Sequence, residues 1–287
     1  MANTINWGQA AVENTIDYGQ GATDNTISWG KSQTLSPGGE TNITGAGGTP
    51  AFSNTLSTTF DGNDDYVDCS SASNSISADN EGTVSLWVKP NDISSNQTIV
   101  NLSASTLTRQ YLVLNLSSSL GFTVDMRTTS NSSSGFIVHA NVNPFSVGAW
   151  THLAVVQNGV SPQLYVNGVA VAQTFLVSTN DQKWLNDMGS FDSINIGRIF
   201  TSDLDQNYYD GLVDEVSYFS SALSSSDMLS IYNSGVPTDL TQFSTTPIFY
   251  YRMGEGSTYP TINDEIGSNN GLMKNMSAAN FVTDVPT

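Results

Sequence analysis

The sequence predicts an all-β sandwich preceded by a short, repeat-bearing N-terminal arm. From about residue 51 the chain breaks into short runs of alternating apolar and polar residues bounded by turn residues. Half-buried strands require that pattern, because successive side chains point to opposite faces. Of the 287 residues, 38% are apolar and only 12% charged, with Ser, Thr, Asn and Gly filling the deficit. That balance suits a sandwich with many polar turns rather than a helical bundle. The arm shows itself as a repeat of period eleven in the first thirty residues.

The repeat reads Asn3-Thr4-Ile5-Asn6-Trp7-Gly8, then Asn14-Thr15-Ile16-Asp17-Tyr18-Gly19, then Asn25-Thr26-Ile27-Ser28-Trp29-Gly30. An eleven-residue period in a helix implies a right-handed coiled coil. Asn, Thr and Gly in every unit oppose helix, and a short strand ended by a turn fits better. Ile and the aromatic, at i and i+2, then share one strand face. So short a segment cannot bury three such pairs alone. They pack either on the chain's own sandwich, or on another subunit or intertwined with copies of themselves, and the second is the expectation. Ile5, Trp7, Ile16, Tyr18, Ile27 and Trp29 are therefore assigned to an assembly anchor at residues 1–31. A Gly-rich linker follows at 32–50, carrying Pro37-Gly38-Gly39 and Gly45-Ala46-Gly47-Gly48. Residues 51–287 form the sandwich.

Within it, Thr83–Val88 alternates and stops at Lys89-Pro90, and Trp150–Val156 ends at Asn158-Gly159. Gln163–Val166 runs into Asn167-Gly168, a type I′ hairpin signal, and Val169–Ala172 returns. Asn195–Gly197 and Gly211–Tyr218 are two further strands. Only Ser224–Tyr232 looks helical, with a Ser-rich start, Asp227 in its first turn, and Met228, Ile231 and Tyr232 on one face.

Several of these stretches, in this order, resemble the laminin-G-like (concanavalin-A-like) jelly-roll family. They are Phe60-Asp61-Gly62-Asn63-Asp64-Asp65-Tyr66-Val67, Val84–Pro90, Trp150-Thr151-His152-Leu153-Ala154, Leu164–Gly168 and Gly211–Val216. The resemblance spans about 55 to 235 and implies two antiparallel sheets of about six or seven strands, packed face to face. Ile248–Gly256 and Asn263–Gly271 resemble the strand and loop that usually open such a domain, yet here they close it. Residues 247–287 are thus read as a permuted strand segment, or one exchanged with a neighbouring copy. The tandem Asn-Thr-Ile-x-Trp-Gly units resemble those opening tailed-phage virion proteins, which implies a shared attachment device before a variable module.

Net charge is −18, with eight Lys and Arg against 26 Asp and Glu. Such a surface repels phosphate backbones and anionic membranes, so neither nucleic acid nor membrane is expected as partner. One cysteine, Cys69, excludes an intrachain disulfide. Neither a signal peptide nor a run of roughly 20 apolar residues is evident, so synthesis in a host cytoplasm is expected.

Glycosidases of this architecture place two carboxylates around the scissile bond, alternating along one strand. Asp214 and Glu215 are consecutive and should point to opposite faces, so no enzymatic activity is expected. The family resemblance implies calcium at Asp214, with Asp61 as second contributor. A glycan site is assigned to Trp184, Tyr208, Tyr209 and Asp205, which lie in loop-like stretches. The leading expectation is a bacteriophage virion protein (capsid decoration, fibre or tail-associated), anchored by residues 1–31. It would be homo-oligomeric, contacting other virion proteins and host-surface polysaccharide. The alternatives are a bacterial carbohydrate-binding module outside any virion, and a divergent polysaccharide hydrolase or lyase.

Overall fold

The computed structural model describes residues 52–130 and 134–287, with the backbone of two short strands at 26–27 and 33–34. The chain divides into two compact units, Met1–Ala51 and Phe52–Thr287. In the first, β1 (Thr26–Ile27) pairs antiparallel with β2 (Gln33–Thr34), Ile27 lying opposite Gln33. The other anchor residues, Ile5, Trp7, Ile16, Tyr18 and Trp29, lie outside the described residues, as does 35–50 of the linker.

The second unit begins with β3 (Ser57–Asp61), β4 (Tyr66–Asp68), a four-residue helix α1 (Ser73–Ile76), β5 (Gly82–Pro90), β6 (Gln97–Ser103) and β7 (Tyr111–Ser117). It continues through β8 (Gly121–Arg127), β9 (Phe136–Ala140), β10 (Thr151–Gln157), β11 (Pro162–Val166), β12 (Val169–Ala170) and β13 (Gln173–Ser178). Next come β14 (Ser193–Ile196), the hairpin β15 (Ile199–Thr201) and β16 (Leu204–Gln206), β17 (Asp210–Phe219) and helix α2 (Ser225–Tyr232). The chain closes on β18 (Phe249–Tyr251), β19 (Thr261–Ile262), β20 (Gly271–Lys274) and β21 (Phe281–Val282).

Sheet A has the order β12-β11-β10-β5-β17-β3-β21, with β18 also paired to β17; sheet B runs β13-β9-β8-β7-β6-β14-β4-β20-β19. All pairs are antiparallel, as a jelly-roll sandwich requires. The sheets have eight and nine strands rather than six or seven, because two- and three-residue strands are too short to leave a periodic signal. The core lies between them and alternates as expected. Val84, Leu86 and Val88 of β5 meet Leu112, Leu114 and Leu116 of β7 and Phe122, Val124 and Met126 of β8 in one buried cluster.

Local chemistry sets the connections. Asn167 and Gly168 both take positive φ (49° and 75°), the left-handed pair a type I′ turn needs. Ser224 caps α2, accepting from the Asp227 N–H at 3.2 Å while Asp227 accepts from the Ser224 N–H at 2.9 Å. The short α1 has no such cap, which is why sequence reading saw only one helix.

The C-terminal segment pairs within its own chain. β3 lines the first half of one side of β17, with Phe60 opposite Gly211, and β18 lines the second half, with Tyr250 opposite Ser217. A bulge separates the halves, between Asp214 and Ser217.

Candidate functional site

Core packing decides which side chains sheet B presents outward. With Leu112, Leu114 and Leu116 turned inward, β7 carries Tyr111, Val113 and Asn115 on its outer face; β8 likewise turns Thr123, Asp125 and Arg127 outward. Register pairs these across strands as Tyr111 with Arg127, Val113 with Asp125 and Asn115 with Thr123. The β15–β16 hairpin folds over the adjoining polar strip of β6. Its Phe200 carbonyl accepts from Ser103 Oγ at 2.7 Å and Asn101 Nδ2 at 3.3 Å. Ile199 packs with Tyr111, Val113 and Leu204. On the hairpin's other side, the Arg198 guanidinium lies 3.5 Å from the Tyr66 ring centre and 4.3 Å from that of Phe200. It pairs with Asp205 at 3.0 Å.

Between hairpin and strands a cleft of about 240 Å³ remains. Its apolar part is Val113, Ile199 and Leu204; its polar part includes Arg109, Arg127, Asn115, Gln206 and Asn207. Arg127 holds Asp125 through Nε at 3.1 Å and Nη2 at 2.7 Å, and the Tyr111 hydroxyl donates to the same carboxylate at 3.3 Å. Burial pushes the Asp125 carboxyl above its ordinary range, although Arg127 pulls the other way. Burial, then the Asp125 charge, also raises the Tyr111 hydroxyl, which stays protonated. Asn115 Oδ1 accepts from Thr98 Oγ1 at 2.8 Å. Arg109 sits at φ 50° and contacts Asp203 through Nε alone, at 3.1 Å. An apolar strip ringed by fixed amide and guanidinium groups is suited to holding a polar ligand in one orientation.

The four residues that sequence reading assigned to a glycan site separate. Trp184 and Tyr209 are wholly buried. Trp184 donates Nε1–H to the Tyr218 hydroxyl at 3.0 Å, and Tyr209 packs edge-on against Phe60. Neither presents a ring to solvent, because large aromatics in loops can turn inward and fill the ends of the core. Tyr208 and Asp205 do come together, hydroxyl to carboxylate at 2.7 Å, on the hairpin beside Gln206 and Asn207. The cleft residues themselves were missed. Their signal is visible only once Leu112-x-Leu114-x-Leu116 is known to face inward.

Asp61 and Asp214 are not neighbours. Asp61 lies opposite Asp210, so four residues of strand, roughly 13 Å, separate it from Asp214. Asp61 groups instead with Asp64 and Asp65, their carboxylate oxygens within 4.8 Å of one another. Burial raises the Asp61 carboxyl, but hydrogen bonds from Asn63 and Asp64 outweigh it and hold the group below its ordinary value. Burial and the Asp61 charge push Asp65 up to about 6. Three carboxylates of that kind fit the oxygen chemistry of a hard cation; Asp214 is no part of the set.

The β17 bulge also changes the expectation for the paired carboxylates. Glu215 takes φ 53°, and Val213 and Val216, on either side of the pair, both face the core. Asp214 and Glu215 therefore share the outer side of sheet A instead of pointing apart. Asp214 accepts from Asn54 Nδ2 at 2.8 Å; Glu215 accepts from the Tyr250 hydroxyl and from Arg252 Nε at 3.3 Å. Burial, then the Glu215 charge, raises Asp214 well above the carboxylate range, and burial raises Glu215 to about 7. At 0% and 4% exposure the pair is a buried hydrogen-bonded network.

Solved structures share this architecture. A provisionally designated carbohydrate-binding protein of Bacteroides ovatus superposes with a TM-score of 0.56 at 16% identity, over 82% of this chain and 62% of that one. The chain thus spans under two thirds of that protein. The CBM40 domain of the Ruminococcus gnavus IT-sialidase, bound to α2,3-sialyllactose, superposes with a TM-score of 0.53 at 14% identity, over 63% of this chain and all of the domain. At such identities the likeness is one of fold. No curated protein matches the chain significantly. The family profile described as the concanavalin A-like lectin/glucanases superfamily matches residues 61–228, more than half the chain, and the protein belongs to that superfamily.

Proposed function

We propose that residues 52–287 form a non-catalytic glycan-binding module, with the saccharide held in the cleft between the β15–β16 hairpin and strands β7 and β8. The observation that carries this is the cleft's composition: a short apolar strip from Val113, Ile199 and Leu204 beside the Gln206 and Asn207 amides, whose side chains have no hydrogen-bond partner among the described residues. Sugars offer alternating C–H patches and hydroxyls, and such a lining matches both. Support also comes from the fold neighbours described as carbohydrate-binding, one of them holding a sialylated trisaccharide. The test is a glycan array probed with the full chain, followed by calorimetry on its hits. Asn115→Trp, filling the cleft, should abolish binding while the chain still unfolds in one cooperative transition, its midpoint lowered by the hydrogen bond lost from Thr98. Binding that survives this substitution would move the site elsewhere.

A second reading rests on the repeat at Asn3, Asn14 and Asn25. It makes residues 1–31 a docking segment that fixes the module to a larger assembly, a virion in the proteins it resembles, and there as a homo-oligomer. Host-surface polysaccharide would then be the ligand. A chain lacking residues 1–31 should keep glycan affinity but fail to incorporate into particles; full incorporation would overturn the docking role.

A further inference from the structure

The ligand class can be read one step further, granted the glycan-binding reading above. We propose that the saccharide in the sheet B cleft is acidic, carrying a carboxylate of the sialic or uronic acid kind.

The first ground is charge. The chain as a whole has 26 acidic residues to eight basic ones, yet the cleft is lined by two arginines, Arg109 and Arg127, and one carboxylate, Asp125. The general ratio is inverted among the lining residues. A neutral hydroxyl accepts from each arginine with only the donor charged, whereas a carboxylate adds the opposite charge and a second acceptor oxygen to the bond.

The second ground is which atoms remain free. Asp125 is 8% exposed, and its oxygens are taken by Arg127 Nε and Nη2 and by the Tyr111 hydroxyl. Its charge is therefore matched inside the cleft wall and its acceptors are spent. Arg127 keeps Nη1 without a protein partner among the described residues, held in place by the fork to Asp125 and by the Tyr111 ring, 5.4 Å from the guanidinium carbon. Arg109 spends Nε on Asp203, and neither of its Nη groups has a partner among the described residues; its side chain is 47% exposed. Asn115 has spent its oxygen on Thr98, which leaves Nδ2 as donor. The cleft thus offers N–H groups from two guanidinium ions and from the Asn115, Gln206 and Asn207 amides. A carboxylate accepts through two oxygens and donates nothing, so it complements that set. A neutral hydroxyl finds side-chain acceptors at Gln206 and Asn207 but brings no charge to match the two guanidinium ions.

The third ground is rigidity. Arg127 is 15% exposed and fixed at two nitrogens before any ligand arrives. An arginine fixed in that way loses little side-chain entropy on binding.

The test uses the full chain and calorimetry with two matched pairs: 3′-sialyllactose against lactose, and trigalacturonate against its methyl ester. At least one acidic member should bind tenfold or more tighter than its neutral counterpart, with affinity falling as salt rises. Arg109→Gln, on the exposed residue, should reduce the acidic affinity at least tenfold and erase the preference without moving the unfolding midpoint. Arg127→Lys is the second variant; it keeps the charge paired with Asp125 but loses the fork, and should also weaken the acidic ligand. Neutral sugars bound as well as acidic ones, in a manner abolished by Asn115→Trp, would overturn the acidic class while leaving the glycan site standing. Acidic affinity unchanged in Arg109→Gln would overturn it as well. No binding of any saccharide would overturn both readings.

Discussion

The outer faces of the two sheets start from the same alternation and finish differently. On sheet A, Ala154, Val156, Tyr165 and Phe219 turn away from the main core and form a second one with Met228 and Ile231 of α2 and with Leu240. Trp87 stacks on Tyr232 at 5.5 Å, above the buried His152. On sheet B the corresponding positions are mostly polar, with a small apolar cluster of Tyr111 and Val113 under the β15–β16 hairpin. The sealed face contributes hydrophobic stability. The open face keeps hydrogen-bonding groups that a ligand can satisfy, so stability and recognition are divided between the two.

The division makes graded predictions. Phe219→Ala, on the sealed face, removes a wholly buried ring and should cost about 3–5 kcal/mol. Urea unfolding measures this, and a loss below about 1 kcal/mol would mean the second core is not close-packed. His152 should make the same face acid-sensitive. Its Nε2 meets Ser85 Oγ at 2.9 Å, Nδ1 is unpartnered, and burial lowers the imidazole from its ordinary 6.5 to about 3. The folded chain therefore binds fewer protons than the unfolded chain between those values. This stability is complete above pH 6.5 and falls by about 1.4 kcal/mol per pH unit as the solution is acidified toward 3. The raised carboxyls Asp214 and Glu215 tilt the curve the opposite way, so the slope is best taken as wild type minus His152→Gln. A difference flat between pH 7 and 4.5 would refute the assignment. Ser224→Ala removes the cap of the sealing helix and should cost about 1 kcal/mol in the same assay. Smallest of all, Arg109→Gln on the open face should change stability by no more than about 0.5 kcal/mol. A loss approaching that of Phe219→Ala would erase the distinction between the faces.

Much of this fold could be read from residue order. Alternation located β5, β10 and β17, Asn167-Gly168 located a hairpin, and Ser224 with Asp227 located a helix start, because each is a local requirement. The candidate site was far less legible. Whether Trp184 faces solvent or the core depends on Tyr218, 34 residues away, which receives its N–H. The direction of Glu215 depends on a bulge that changes the period from two, and nothing in Asp214-Glu215 announces one. The cleft brings Arg109 together with Gln206, nearly a hundred positions later. Only the folded sheet defines that proximity.

The pairing of β21 with β3 sets Val282 against Ser57 and Phe281 against Thr58, across more than 220 residues. Ser57 Oγ adds a hydrogen bond to the Asp284 carbonyl at 2.6 Å. During vectorial synthesis the first strand of the sandwich therefore emerges long before its edge partner exists. Until the last strands leave the ribosome, β3 and β4 present bare backbone to their surroundings, the state in which sheet edges recruit the wrong neighbour. Loop closure over such a span is slow. The sandwich thus waits longest, and most exposed, along the edge of β3 that β21 later covers.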